Sequence, residues 1–519
     1  METTTTPQRQ HEQRRRAGFA GAAAAGLALG LTELVAGLTT SVPSAIASVG
    51  TYVVDYSPPF VKRFAIDVFG TADKGALAIG TVIVAVLIGG LVGRLTLERR
   101  WAAPAAFGVF ALVGIIATFD QPSYEPIATV LTIVVAAGVG WYTLDRLLAA
   151  LDEPATEMPT DGVAPMPTRR HFVAGVVGVT GAALGTGLAG RSMIISRSEE
   201  VRSSIALPSA TVPVDPPASG TSFDVDGLES LLVPNDDFYR IDTALVVPRP
   251  DTAGWRLKIK GMVETELEYT LSDLLAMPLH ERYVTIACVS NKVGGDLVGN
   301  ARWTGVLLSD LLERAGVKEG ATQIVGRSVD DWTAGFPTEL AFDGREPLVA
   351  IGMNGEMLPP RHGYPARLIV PGLYGYVSAT KWLQEIELTT WEDFDGYWIP
   401  RGWSKEGPIK TQSRIDVPQA NQTVPAGQVV MAGVAWAPLK GIDRVEVRID
   451  DGEWQDAELT TPLADTAWVQ WKHAAELAAG NHQLSVRATD GTGQTQTSAV
   501  AEPAPNGATG HHTIRFRTS

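Results

Sequence analysis

The sequence predicts a multi-domain chain: N-terminal transmembrane α-helices, an α+β domain, and a C-terminal β-sandwich of immunoglobulin type. Three observations carry this reading. Nearly all the long apolar runs of the 519 residues lie before residue 190. Mixed short strands and helices with little repetition then run to about residue 415. After "RIDVP" short strands recur at roughly ten-residue spacing with almost no helix between them. The expected organisation is a membrane region over 1–190, a linker over 191–222, an α+β domain over 223–415 and a sandwich over 416–519.

Five apolar runs define the first region: Ala17–Leu38, Ala76–Gly93, Ala102–Phe119, Pro126–Leu144 and the Gly/Ala-rich Phe172–Gly190. Each is about long enough to cross a hydrocarbon core at ~1.5 Å per residue. Three arginine clusters separate them: Arg14–Arg16, Arg94 with Arg99 and Arg100, and Arg146 with Arg169 and Arg170. If all five runs cross, these clusters share one side. The positive-inside rule makes that side cytoplasmic, so everything after residue 190 is extracytoplasmic. The loop Thr39–Gly75 is the mild exception, with Lys62, Arg63 and Lys74 balanced by Asp55, Asp67 and Asp73.

The fifth run opens on Thr168-Arg169-Arg170-His171-Phe172. Paired arginines, an aromatic two residues on and a weakly apolar segment resemble a twin-arginine export signal, a route suited to a domain exported already folded around a cofactor. "GLAG" at 187–190 resembles a cleavage site, but cutting there would orphan the preceding helices, so retention is the expectation. The only histidines before residue 190 are His11 and His171, and none lies within the first four runs. A transmembrane haem held by histidines is therefore not expected in this chain. One cysteine also excludes a Cys-x-x-Cys-His haem attachment and a cysteine-ligated iron–sulfur cluster.

Charge separates the halves. Residues 1–190 carry 13 Lys+Arg and 14 Asp+Glu, and the remainder carries 29 and 43. So acidic a soluble part argues against nucleic acid as a partner. Residues 191–222 are rich in Ser, Pro and Ala, as linkers are. "WRLKIKGMV" alternates as a strand does; "TLSDLLAMP" reads as a short helix capped by Thr270 or Ser272. "RYVTIACV" is a strand with Val284, Ile286 and Cys288 on one face. "LLSDLLERAG" is a helix closed by Gly316, and "ARLIVPGLYG" and "KWLQEIELTT" are further strands. In the tail, strands are expected over 428–438, 443–450 and 482–490, with no cysteine pair between the sheets.

Cys288 is the only thiol, and it ends a strand before the Gly-rich "VSNKVGGDLVG". A cysteine nucleophile needs a base, and His280 and His362 sit in no pattern that supplies one. Zinc would need several more His or Cys ligands than the two histidines of this domain provide. A metal held mainly by an organic cofactor, with Cys288 as its single protein ligand, fits the inventory better. The glycines would let backbone approach that cofactor closely.

Two long segments add a stronger signal: "VTIACVSNKVGGDLVGNARWTGVLLSDLLERAG" and "MNGEMLPPRHGYPARLIVPGLYGYVSATKWLQEIEL". They resemble the molybdopterin-binding core of the sulfite oxidase family. The resemblance covers about residues 230–415, and 416–519 resembles that family's immunoglobulin-like dimerisation domain. It implies a sulfite-oxidase-type α+β fold and a molybdenum–molybdopterin cofactor, with Cys288 in the place of the thiolate ligand, a soft donor suited to such a centre. His362 and Arg367 match the family's "HGxPxR" element, which binds the pterin phosphate region; an arginine fork suits a phosphate. Ala379, Thr380 and Lys381 match a cofactor-contacting segment. Phe238, Tyr239 and Arg240 match an "F-x-R" segment beside the cofactor, Asn235 matches an asparagine of bacterial relatives, and Asp330 resembles an acidic contact position.

The departures bear on substrate. Sulfite-oxidising members surround the oxyanion with two arginines and a tyrosine. Here Arg240 supplies one arginine, Lys292-Val293 stands where the second is expected, and the tyrosine region reads "DDWTAGFPTEL". The expected function is a membrane-anchored molybdenum oxidoreductase acting on a small sulfur oxyanion or S-oxide, with Cys288 and Arg240 catalytic. It exchanges electrons with a separate carrier and forms a homodimer through the C-terminal domain. The alternative is a non-catalytic membrane protein that keeps the fold for binding or assembly.

Overall fold

A computed structural model describes residues 7–39, 41–58, 73–119, 125–152, 168–244 and 247–519. The chain divides into two compact units, Met1–Glu200 with Ala244–Val247, and Val201–Thr243 with Pro248–Ser519. Of the loop expected over Thr39–Gly75, Lys62, Arg63 and Asp67 lie outside the described residues.

The first unit is helical: α1 (Pro7–Leu38), α2 (Ala45–Tyr56), α3 (Asp73–Glu98), α4 (Ala102–Thr118), α5 (Pro126–Asp152) and α6 (Thr168–Ser204). Among the described residues, four helices are long and apolar enough to cross a membrane: Gln10–Leu38, Gly75–Glu98, Pro126–Leu151 and His171–Ser196. The sequence expects five; the remaining run is the apolar, 17-residue α4, about 25 Å long at ~1.5 Å per residue. Glycine lets α1 and α3 meet backbone to backbone. A Cβ on Gly93 would fall 2.0 Å from the Ala17 carbonyl oxygen, and one on Gly21 2.1 Å from that of Gly89. Such small-residue crossings let two helix backbones approach closely. The buried Glu33 of α1 accepts from the Ser44 hydroxyl at 2.7 Å, and Ser44 in turn caps α2 by accepting from the Ala47 amide.

Residues 191–204 continue α6 and are not linker. Serine and alanine do not break a helix that has already nucleated; proline does, and the first after residue 168 is Pro208. The extended stretch therefore starts near residue 205. Part of it is docked: Val212 forms a parallel bridge with His280.

The second unit holds two sheets in its α+β part and two more in its C-terminal part. One runs in the order β2–β1–β10–β5–β6, from β1 (Leu257–Gly261), β2 (Leu267–Tyr269), β5 (Gln323–Ser328), β6 (Thr333–Pro337) and β10 (Leu383–Thr389). The next runs β3–β4–β7–β8, from β3 (His280–Ala287), β4 (Val298–Leu307), β7 (Leu348–Met353) and β8 (Glu356–Met357), with β9 (Arg367–Ile369) on β7. Short helices connect them. α7 (Leu271–Leu275) begins in a capping box between Thr270 and Asp273. α8 (Leu308–Ala315) ends at Gly316 with φ +69°, a conformation glycine adopts without cost. α9 (Gly375–Ser378) lies between β9 and β10.

β3 is buried on both faces, because every residue from Tyr283 to Val289 is buried. The polar residue on its other face, Thr285, is satisfied by the Asn300 side chain at 3.1 Å and by the Trp468 amide at 2.8 Å. That second partner comes from the C-terminal part, whose strands are β11 (Gln412–Val417), β12 (Thr423–Val424), β13 (Gly427–Trp436), β14 (Ile442–Ile449), β15 (Gln455–Asp456), β16 (Glu458–Leu459), β17 (Val469–Leu477), β18 (Gly480–Asp490) and β19 (His512–Thr518). These form two sheets, β11–β13–β17–β16 and β12–β19–β18–β14–β15. Met431, Val469 and Trp471 of one pack with Val447, Leu484 and Phe516 of the other, so the tail is a two-sheet sandwich.

Candidate functional site

Four loops converge at the ends of the α+β strands. After β3, the Cys288 amide donates to the Leu297 carbonyl at 2.9 Å and closes the loop between them. Asn291 braces that loop from inside: its amide donates to the Cys288 carbonyl, and its Oδ1 accepts from the Leu297 amide at 3.0 Å. The tip of the β5–β6 hairpin carries Asp330 and Trp332, turned by Asp331 at φ +62°. A third segment brings Phe238 and Tyr239. The fourth runs from α9 through Ala379 to Trp382, which holds φ +49° while its indole donates to the Pro360 carbonyl at 2.7 Å. Left-handed backbone costs a non-glycine residue roughly 1–2 kcal/mol, and here it turns the chain next to Lys381. Together the loops line an open cavity of ≈ 840 Å³, including its mouth.

Seven of the residues singled out in the sequence line this cavity: Phe238, Tyr239, Cys288, Asp330, Arg367, Ala379 and Lys381. The other four stand behind it or beside it. The Asn235 amide donates to Glu356 and Met353 and its Oδ1 accepts from Asn354, so the side chain ties loops together. Thr380 is fully buried, and its hydroxyl faces the Gly326 carbonyl at 3.4 Å. Arg240 donates to Asp242 at 2.8 Å. His362 is buried in contact with Phe238, ring to ring at 5.7 Å.

The charges are arranged as a chain. Asp242 accepts from Arg240 on one side and from Lys381, at 3.0 Å, on the other. Burial lowers the Lys381 ammonium to about 8, against the opposing pull of Asp242. Arg367, buried and 5.0 Å above the Trp303 ring, is lowered to about 10 by the same loss of solvent. Its Nη1 donates to the His362 carbonyl at 3.0 Å, while its Nε has no partner among the described residues. His362 is neutral, pushed down to about 3 by burial. Its Nε2 lies 2.7 Å from the Asn235 carbonyl. A carbonyl only accepts, so Nε2 carries the proton and Nδ1 presents a bare lone pair. That Nδ1 is buried and also without a partner among the described residues. Burial raises the Cys288 thiol, opposed by hydrogen bonds from Ser290 and by the charge of Lys381. Burial raises Asp330 as well, and it pushes the Tyr239 phenol far above its ordinary range.

Several cavity residues carry no signal readable in the sequence. Asp242, two positions after Arg240, reads there as one half of a local ion pair; in the structure it also holds Lys381. Trp332, Tyr376, Trp398 and Trp403 line the wall. Three of them touch in series, Tyr376 to Trp403 at 5.8 Å and Trp403 to Trp398 at 6.3 Å between ring centroids. Tyr376 belongs to α9, and Trp398 and Trp403 to the one loop between β10 and β11, so no local pattern marks the contact between the two segments. Trp332 lies in the stretch where a tyrosine is absent. Lys292 is exposed and does not line the cavity.

A molybdopterin-type cofactor suits this donor set. A single buried thiol faces the cavity, and two buried polar atoms beside it, Arg367 Nε and His362 Nδ1, await partners.

Comparison with known proteins gives two matching family models. One, described as oxidoreductase molybdopterin binding domain, covers residues 244–398; the other, described as Mo-co oxidoreductase dimerisation domain, covers 406–503. Mitochondrial sulfite oxidase of Rattus norvegicus is 30% identical over 322 residues, which cover 53% of this chain and 58% of that protein. The chain thus spans a little over half the length of that relative. The uncharacterized oxidoreductase YuiH of Bacillus subtilis is 35% identical over 157 residues, which cover 30% of this chain and 76% of YuiH. Among solved structures, the sulfane dehydrogenase SoxCD of Paracoccus pantotrophus matches with a TM-score of 0.50 at 24% identity, covering 56% of this chain and 84% of that one. That likeness speaks to the fold.

Proposed function

The chain belongs to the sulfite oxidase family of molybdopterin-dependent oxidoreductases, and from that premise we propose a membrane-anchored molybdenum oxidoreductase that moves an oxygen atom onto or off a small sulfur oxyanion or S-oxide outside the cytoplasmic membrane. One observation carries the proposal: a buried lone thiol faces a cavity beside two buried polar atoms that have no partner among the described residues. When bound, the molybdenum cofactor supplies the two-electron centre for oxygen-atom transfer. Cys288 supplies the thiolate, and a metal holds it deprotonated against the burial that raises the free thiol. Arg367 and Lys381 bind the phosphate end. His362, neutral and with Nε2 occupied, accepts an N–H or O–H of the cofactor and adds no charge.

Arg240 orients substrate only after loosening its hold on Asp242. Arg367 and Lys381 on the wall are offset there by Asp242 and Asp330, and Lys292 lies off it, so a sulfite dianion meets little net positive charge, and an uncharged S-oxide is equally well served. Anchoring rests on the apolar helices. The three arginine clusters share one side only if α4 crosses too, and Trp101 and Phe119, both exposed at its ends, suit an interfacial belt. Export by the twin-arginine route rests on the 168–172 pattern, and retention on the unbroken helix through "GLAG". A homodimer through the C-terminal domain and a separate electron carrier complete the reading.

The test is the full chain, expressed in a cofactor-competent host, purified in detergent and assayed for metal. About one molybdenum per chain is expected, with turnover of sulfite or an S-oxide using artificial electron donors and acceptors. Protein that folds without molybdenum would favour the non-catalytic binding or assembly role. A pH series gives a second check. Lys381 titrates near 8 in the cofactor-free site, and a bound phosphate raises it further. Between those two values the bound state holds more protons than the free one. Cofactor affinity is therefore full below about pH 8 and falls as the pH rises through it, read by loading the cofactor-free protein across that range. Lys381→Met should flatten that slope.

A further inference from the structure

We propose that the C-terminal sandwich positions the cysteine loop of the α+β domain, through His512 and Arg414. This rests on, and deepens, the reading of Cys288 as metal ligand. The sandwich stands directly behind the loop Val289–Asp296. Gly294 has φ +77°, and a Cβ there would lie 2.2 Å from Cδ2 and 2.3 Å from Nε2 of His512. The imidazole is thus seated flush on the loop backbone. Its other nitrogen is fixed: Nδ1 accepts from the Ile415 amide at 2.9 Å, which sets the ring as a neutral Nε2–H tautomer. Arg414 holds the next residue. Its Nη1 reaches the Gly295 carbonyl at 3.4 Å, while Nε and Nη2 are anchored on Asp416 at 2.6 Å and Glu229 at 3.2 Å.

The same domain fixes the strand that leads into the loop. β3 is an edge strand of its sheet. Val212 covers the start of its open edge, and the sandwich closes the part nearer Cys288, because the Thr285 amide donates to the Thr466 carbonyl at 2.9 Å and the Trp468 amide donates to the Thr285 hydroxyl at 2.8 Å. The Thr466 hydroxyl donates to the Tyr283 carbonyl. The sandwich therefore grips the chain on both sides of Cys288, three residues before it at Thr285 and six residues after it at Gly294.

The chain's single cysteine makes the test specific, since a thiol reagent reports on Cys288 alone. His512→Asn keeps an acceptor for the Ile415 amide and removes the part of the ring that rests on Gly294. Arg414→Lys keeps the charge beside Asp416 and Glu229 and loses the reach to Gly295. In the cofactor-free full chain, each variant is expected to raise the rate of Cys288 labelling by about tenfold, with faster amide exchange confined to 288–297. In the loaded enzyme, each is expected to shift the Mo(V) EPR g-values. Unchanged labelling and exchange in both variants would overturn the proposal. So would exchange that rises as much through the sandwich as in the loop, because that marks a core role and no specific hold on the cysteine. If Cys288 is not the ligand, the labelling and exchange results stand and only the EPR shift fails.

Discussion

Cys288→Ser is expected to abolish turnover and leave the fold in place. The thiol is buried, and it makes its hydrogen bonds with Ser290, which serine can also reach. The change removes little volume, so the cost to stability is about 1 kcal/mol. What it removes is the soft donor. A serine hydroxyl is harder and far less acidic than a thiol, and it does not reproduce a thiolate's bond to molybdenum. Arg367 and Lys381 are untouched, so the pterin end of the cofactor still binds. The expected result is a protein that melts within a few degrees of the parent, contains molybdenum and does not turn over. Metal content, a melting curve and an activity assay on one preparation check all three points.

Arg367→Met is expected to do the reverse: loading collapses while the cofactor-free protein holds or gains stability. Arg367 is buried, its charge has no carboxylate partner in the salt bridges of the described residues, and its Nε is unsatisfied among them. Such a group is costly to bury, and methionine fills similar space without the charge. On binding a phosphate, the fork makes charge-assisted hydrogen bonds worth ~1.5–3 kcal/mol each. Losing one or two of them lowers cofactor affinity about 10- to 100-fold or more. Arg367→Lys keeps the charge and loses the fork, so it should fall between the two. Molybdenum per chain and the melting temperature of the cofactor-free variants separate these outcomes.

The parts of the fold with strong local signals are legible in the sequence. The apolar runs, the capping box at Thr270 and the Gly316 helix stop are each written in a few adjacent residues. The helix over 191–204 is not, because a Ser-rich composition resembles a linker and the decisive proline comes only at 208. The face of β3 that carries Val284, Ile286 and Cys288 is legible, but nothing near Thr285 says that Trp468 covers the other. The site divides in the same way. Cys288, Arg367 and Lys381 sit in long matched segments, and the cavity gathers them. Asp242, as the shared partner of Arg240 and Lys381, and the aromatic wall of Tyr376, Trp398 and Trp403 depend on contacts between distant loops. Sequence periodicity does not encode such contacts.

The central claim is that Cys288 is the one protein ligand of the metal. Molybdenum K-edge absorption counts it directly. The loaded parent protein should show a sulfur shell of the dithiolene pair plus one further sulfur, and Cys288→Ser should show the pair alone with a new light-atom neighbour. The same sulfur count in both proteins would contradict the claim.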